Sequence, residues 1–184
     1  MRQPTTFEKP PTYFETNDFT APFQEIVDTY GVPRYEEANP ALFAISIFPF
    51  LFGVMFGDIG HGGLLLAFGI WLVRDPNAKK ILGDAYNYRY LVLMMGSFAF
   101  YCGWIYNEFF SLPWNIFGSC YGHAEPEEFA EKIEGCVYPI GMDPKWIRAS
   151  NELNFFNSYK MKFAVIIGVT QMTVGTYAPI QVSS

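Results

Sequence analysis

Four polar side chains sit where an apolar chain would not ordinarily place them. Asp58 and His61 interrupt FPFLFGVMFGDIGHGGLLLAFGIWLV, residues 48–73, and Asn107 and Glu108 close YLVLMMGSFAFYCGWIYNEFF, residues 90–110. Ionisable groups at membrane depth are costly, so they pair with one another or line water. Carboxylates and an imidazole exchange protons, the imidazole near neutral pH, so a wet cluster of Asp58, His61 and Glu108 beside Asn107 could pass them along. A plainer reading stands beside it, and composition alone favours it: Asp58 caps a helix turn and Glu108 sits among headgroups.

Other chemistries find little support. The chain has no GxSxG, P-loop or HExxH string. His61 and His123 lie on separate segments, which gives a nucleophile–base pair little support, and His123 in GHAEPEEF reads as a solvated loop residue. No CxxC or His/Cys spacing suggests a metal, and no cofactor is expected. Net charge is −6 and no basic stripe appears, so nucleic acid is not an expected partner.

The elements that must position these groups follow from the apolar runs. Of the 184 residues, 51% are apolar, 19% aromatic and only 16% charged, against ~25% charged in a typical soluble domain. The run 41–73 is about half again longer than the ~20 residues that one span needs. A break at 57–63 resolves this. Gly57, Gly60, Gly62 and Gly63 permit the φ > 0 conformations of a tight turn, and Asp58 can accept freed backbone N–H groups. The run therefore reads as a helical hairpin in the membrane with short arms.

The expected fold is all-α: a polytopic helical membrane protein with this hairpin at 41–73, a third span at 90–110 and a fourth at 161–180. Residues 1–40 form a juxtamembrane stub. There Phe19, Phe23, Ile26, Val27 and Tyr30 make a helical stripe, Thr20 or Asn17 would cap it and Gly31 would end it. The loop 74–89 is basic, with Arg74, Lys79, Lys80 and Arg89. The loop 111–158 is acidic, with Glu125, Glu127, Glu128, Glu131 and Glu134. Positive-inside bias puts the first loop and the N-terminus in the cytosol and the second loop in the lumen. Lys160 and Lys162 at the start of the fourth span weaken that bias and would snorkel. No cleavable signal peptide is visible.

Small residues recur at four-residue spacing, Gly53/Gly57, Ala99/Gly103 and Ala164/Gly168, a pattern that lets helices approach closely in lipid. Tyr101, Trp104, Tyr106, Phe109 and Phe110 read as an interfacial belt. Cys102 reads as a packing residue. Cys120 and Cys136 share one polar loop and would bond if that loop faces an oxidising lumen; the sequence leaves this open.

FTAPFQEIVDTYGVPRYEEANPALF, FPFLFGVMFGDIGHG, YLVLMMGSF, YNEFFSLPWNIFG, YPIGMDPKW and NSYKMKFAVIIGVTQM together resemble subunit a of the eukaryotic vacuolar-type proton ATPase, in order and in spacing, over about residues 11–175. The resemblance implies a membrane-sector stator subunit beside a proteolipid ring, in an acidic organelle. Two offset half-channels there serve a ring carboxylate, and ATP is hydrolysed on other subunits, so this chain is not expected to be an enzyme. It also implies that Asp58 and Glu108 lie near the lumenal half-channel, with Asp common where this chain has Glu108. The family has a large cytosolic domain upstream and further spans carrying the arginine between the half-channels. Arg74 and Arg89 flank a loop and do not fit that role. After Met172 the run TVGTYAPIQVSS drifts from the family, and Pro179 is expected to end the fourth helix early. The chain thus reads as a shortened subunit a that does not translocate protons alone. The alternatives are a standalone four-span scaffold or assembly protein that binds pump subunits, and, more weakly, a small carrier using Asp58, His61 and Glu108.

Overall fold

The computed structural model describes residues 12–34, 37–122, 132–148 and 152–182. His123, Glu125, Glu127, Glu128 and Glu131 lie outside the described residues. The chain is mainly helical, as its long apolar runs require. In order come α1 (Ala21–Tyr30), α2 (Ala41–Met55), α3 (Ile59–Arg74), the short α4 (Ala78–Leu82), a 3-10 segment (Gly83–Tyr88), α5 (Arg89–Tyr106), strands β1 (Glu108–Phe109) and β2 (Leu112–Pro113), a second 3-10 segment (Pro144–Arg148) and α6 (Glu152–Val182). The two-residue strands pair antiparallel, Glu108 opposite Pro113 and Phe109 opposite Leu112. This ribbon was not expected from an all-α reading. Among the described residues, no helix is long and apolar enough to cross a membrane.

Helix α5 is the centre of the fold, and small residues bring its neighbours onto it. A Cβ at Gly53 would fall 2.6 Å from the Phe98 carbonyl carbon, and one at Gly57 2.7 Å from the Cys102 Cβ. Helix α2 therefore runs beside α5 in the same sense. A Cβ at Gly62 would fall 2.5 Å from the Phe100 nitrogen and one at Gly69 2.7 Å from the Leu93 Cα, while Gly103 lies against the backbone of Asp58 and Ile59. Helix α3 therefore runs the opposite way, and the chain reverses between α2 and α3. The core cluster of Val54, Cys102 and Tyr106 joins α2 to α5, with Phe163 of α6 and Met142 of the long loop packed against it.

Helix α1 lies across the start of this assembly. Phe23 is fully buried, the Phe19 ring meets Tyr90 edge-on at 5.5 Å, and Asp18 pairs with Arg89 at 3.0 Å. Gln24 accepts a hydrogen bond from the Asn39 amide at 2.8 Å. The predicted stripe is only partly used, because Tyr30 at its end is 91% exposed.

Several expectations are corrected. The break is three residues, Phe56 to Asp58, rather than 57–63, because α3 starts at Ile59. Gly57, Gly60, Gly62 and Gly63 do not use positive φ. Gly57, Gly60 and Gly62 serve close approach instead, and only Gly63 has ordinary clearance. Tyr106 leaves the proposed belt: it is 3% exposed, and its hydroxyl donates to the Val54 carbonyl at 2.8 Å. The Ala164/Gly168 pair makes no close approach, since nothing lies within 4 Å of a Cβ at Gly168. Helix α6 starts at Glu152 and stays helical to Val182. Pro179 falls within it rather than ending it.

Candidate functional site

The break between α2 and α3 is where the singled-out polar residues gather. Asp58 has extended backbone, φ −151° and ψ 133°, and its side chain accepts the His61 N–H. That is the N-cap arrangement, which satisfies one of the orphan donors at a helix start. The same carboxylate reaches 52 residues onward. Its Oδ1 accepts the His61 N–H at 2.9 Å and the Phe110 N–H at 3.1 Å, and Oδ2 accepts the Ser111 N–H at 2.8 Å.

Those two amides belong to the turn between β1 and β2. Phe110 and Ser111 have φ of 50° and 60°, the left-handed pair that a two-residue hairpin turn needs and that Asn-Gly usually supplies. A bulky residue there is strained. The Asp58 carboxylate offsets the strain by taking both N–H groups, at 6% exposure. The Phe110 ring lies against Gly60, so the tip of the ribbon is packed onto the start of α3 as well as bonded to it.

His61 Nδ1 is 3.2 Å from Asp58 Oδ2, but its side chain is 65% exposed, and its ring meets Phe110 edge-on at 5.0 Å. A cleft of about 490 Å³ opens beside this point, lined by Phe52, Phe56, Asp58, His61, Glu108 and Lys160 among others. The structure thus brings Asp58, His61 and Glu108 to one cavity wall. Asn107 is not with them. It caps α5 with φ 53°, is 1% exposed, and donates to the carbonyls of Ile140 and Met142, the latter at 2.6 Å. It ties the end of α5 to the long loop.

Lys160 was read as a snorkelling residue. Its Nζ instead approaches the Met55 carbonyl at 3.4 Å and lies 4.8 Å from the Tyr106 ring centroid. A cation at the last turn of α2 meets the negative end of the helix dipole, so Lys160 joins α6 to the break. Nothing in its spacing signalled this, because the contact spans 105 residues. Asp143 was also overlooked. Buried at 6% exposure, it accepts from the Ser119 hydroxyl and the Cys120 and Lys145 amides. Asp143-Pro144 is a turn-initiating pair that could have marked it. Cys120 and Cys136 are joined in the same loop, with Cα atoms 5.5 Å apart.

Comparison with known proteins decides the family. The model of the V-type ATPase 116 kDa subunit family matches residues 1–181. The chain belongs to that family. Among V-type ATPase relatives, the chain is 49% identical over 173 residues to the vacuolar proton translocating ATPase 100 kDa subunit of Dictyostelium discoideum, covering 90% of this chain and 21% of that one. It is 45% identical over 177 residues to V-type proton ATPase subunit a of Schizosaccharomyces pombe, covering 91% and 21%. It is 43% identical over 193 residues to V-type proton ATPase 116 kDa subunit a 4 of Homo sapiens, covering 90% and 23%. The chain therefore spans about a fifth of the length of these V-type ATPase subunits.

Proposed function

We propose that this chain is part of the membrane-embedded stator subunit of a V-type proton ATPase, in an endomembrane or vacuolar setting, and that it supports ATP-driven proton transport without catalysing ATP hydrolysis. Its partners are the proteolipid ring, the other membrane-sector and stator subunits and the lipid bilayer. Helices α2 and α3 form the hairpin at 41–73, α5 and α6 the third and fourth spans, with the N-terminus and 74–89 cytosolic and 111–158 lumenal.

Exposed apolar side chains support the membrane reading. Leu64, Phe68, Ile70 and Trp71 of α3 and Val165, Ile166, Val169 and Met172 of α6 are each at least 38% exposed. An outward apolar surface of this kind suits lipid or neighbouring helices better than water. No helix among the described residues is by itself long and apolar enough to cross a membrane, so α5 and α6, like the short arms α2 and α3 of about 22–24 Å at 1.5 Å per residue, would rely on local thinning or on neighbouring subunits.

The observation that carries the role of the site is the full occupation of the Asp58 carboxylate. Backbone amides from α3 and from the ribbon take both oxygens, which suits a clamp that shapes the lumenal end of the helices better than a carboxylate that gains and loses protons. Glu108 and His61, on the cleft wall, are the groups placed to face water there. The test is reconstitution of the purified chain into liposomes. It should resist alkaline extraction and give no proton flux above empty vesicles. Release into the aqueous phase would refute the membrane role, and flux would establish the carrier alternative.

A further inference from the structure

The end of the molecule opposite the Asp58 clamp carries a surface that the proposed function leaves unused. Helix α3 ends in Phe68, Trp71 and Arg74. The Phe68 and Trp71 rings lie 5.8 Å apart and are 43% and 40% exposed. Four residues on, α4 is pinned by Ala78, which is fully buried, while Lys79, Lys80 and Ile81 are exposed, Ile81 at 71%. Among the described residues, no ion pair holds Arg74, Lys79 or Lys80. Arg89 of the same basic loop is by contrast committed to Asp18 and stacked on Tyr86 and Tyr90 at 4.4 and 4.5 Å.

An exposed isoleucine flanked by uncommitted cations, beside a half-exposed tryptophan at a helix end, fits one kind of surroundings. Tryptophan favours the headgroup level. Lysines near a membrane surface gain from anionic lipid. A short amphipathic turn lies in the interface with its apolar residue buried just below the charges.

We propose that α4 and the end of α3 form a docking surface for the anionic headgroups of the bilayer. Lys79, Lys80 and Arg74 meet lipid phosphates, and Ile81 and Trp71 sit beneath them. The occupant is the lipid surface, because charge complementarity and the apolar residues coincide in one place. This rests on the membrane reading given above and deepens it.

The test places a nitroxide at Ile81→Cys in the purified chain. The introduced thiol is the reactive one, because Cys102 is buried and Cys120 is bonded to Cys136. Accessibility to oxygen and to a nickel chelate is measured in vesicles of phosphatidylcholine alone and of phosphatidylcholine with phosphatidylserine. A Val165→Cys label on α6 serves as control. With the control oxygen-exposed, the Ile81 label should sit at shallow depth and move deeper when phosphatidylserine is present. Arg74→Gln, Lys79→Gln and Lys80→Gln together should abolish that response, at roughly fivefold in lipid preference per cation.

An Ile81 label as open to nickel as a label in water, in both vesicles, would overturn the proposal while leaving the membrane reading intact. A phosphatidylserine response that survives the three substitutions would also overturn it. Immobilisation of the Ile81 label only in the assembled pump would overturn it in favour of a protein partner. A control label that is itself in water would instead refute the membrane reading on which the proposal stands.

Discussion

Asp58 and Ser111 are 53 residues apart in sequence and joined by a 2.8 Å hydrogen bond from the Ser111 N–H to the Asp58 carboxylate. One side chain thereby starts α3 and holds the left-handed turn that follows α5. The helices of this region pack through apolar and small residues, and that carboxylate ties the start of α3 to the turn after α5.

Asp58→Ala should therefore be among the most damaging single changes in the chain. It leaves the N–H groups of His61, Phe110 and Ser111 without their acceptor, at about 1–3 kcal/mol for each that stays buried and unpaired. Asp58→Asn retains one acceptor oxygen and should fall between alanine and wild type. His61→Ala, at an exposed side chain, should cost less than either. Denaturant titration of the purified chain in detergent ranks the three, and a harmless Asp58→Ala would remove the clamp.

Glycine spacing gives a paired prediction. Gly62→Ala places a methyl against the Phe100 backbone and should destabilise by about 1–3 kcal/mol or more, as overpacking does. Gly168→Ala meets open space and should be neutral or stabilising by up to about 1 kcal/mol through helix propensity. Equal effects in the same titration would show that α3 and α5 are not in the close contact described.

Legibility of the sequence followed the range of the interaction. Asp58 ahead of an apolar run announced a helix cap, because capping is local. Its second role was not readable, since Phe110 and Ser111 offer backbone amides, which carry no side-chain signature. Gly53/Gly57 and Ala99/Gly103 were legible as contact surfaces, because four-residue spacing defines a helix face. The cluster at 57–63 was misread as an extended turn because glycine signals both flexibility and small size, and here Gly60 and Gly62 are used for size. Tyr106 was assigned to the interface by its neighbours, although one face of a helix turns inward every few residues and Tyr106 lies on that face.

The Cys120–Cys136 bond predicts a thiol count. Before reduction the denatured chain should show one reactive thiol, Cys102, and after reduction three. Reduction should also loosen the loop, by about 3 kcal/mol on chain-entropy grounds for a separation of this order. Three thiols before reduction would exclude the bond.

At the other end, α1 is fastened partly by the Tyr88 hydroxyl, which donates to Glu25 at 2.6 Å. That hydrogen bond, then the charge of Glu25, pushes the Tyr88 hydroxyl above the ordinary tyrosine value of 10.0. The contact is complete below the ordinary value and is lost as pH rises through the raised one. Proteolysis of α1 should therefore accelerate in alkali in the wild type, whereas in Tyr88→Phe it should already be faster at neutral pH and respond less to alkali. Identical pH profiles would show that the contact does not hold α1.

The most direct measurement is proton pumping per assembled complex in the complete V-type ATPase carrying Asp58→Asn. A clamp predicts that assembly falls and that those complexes which do assemble pump at close to the wild-type rate. Wild-type assembly with pumping abolished would contradict the account and make Asp58 a proton-carrying group.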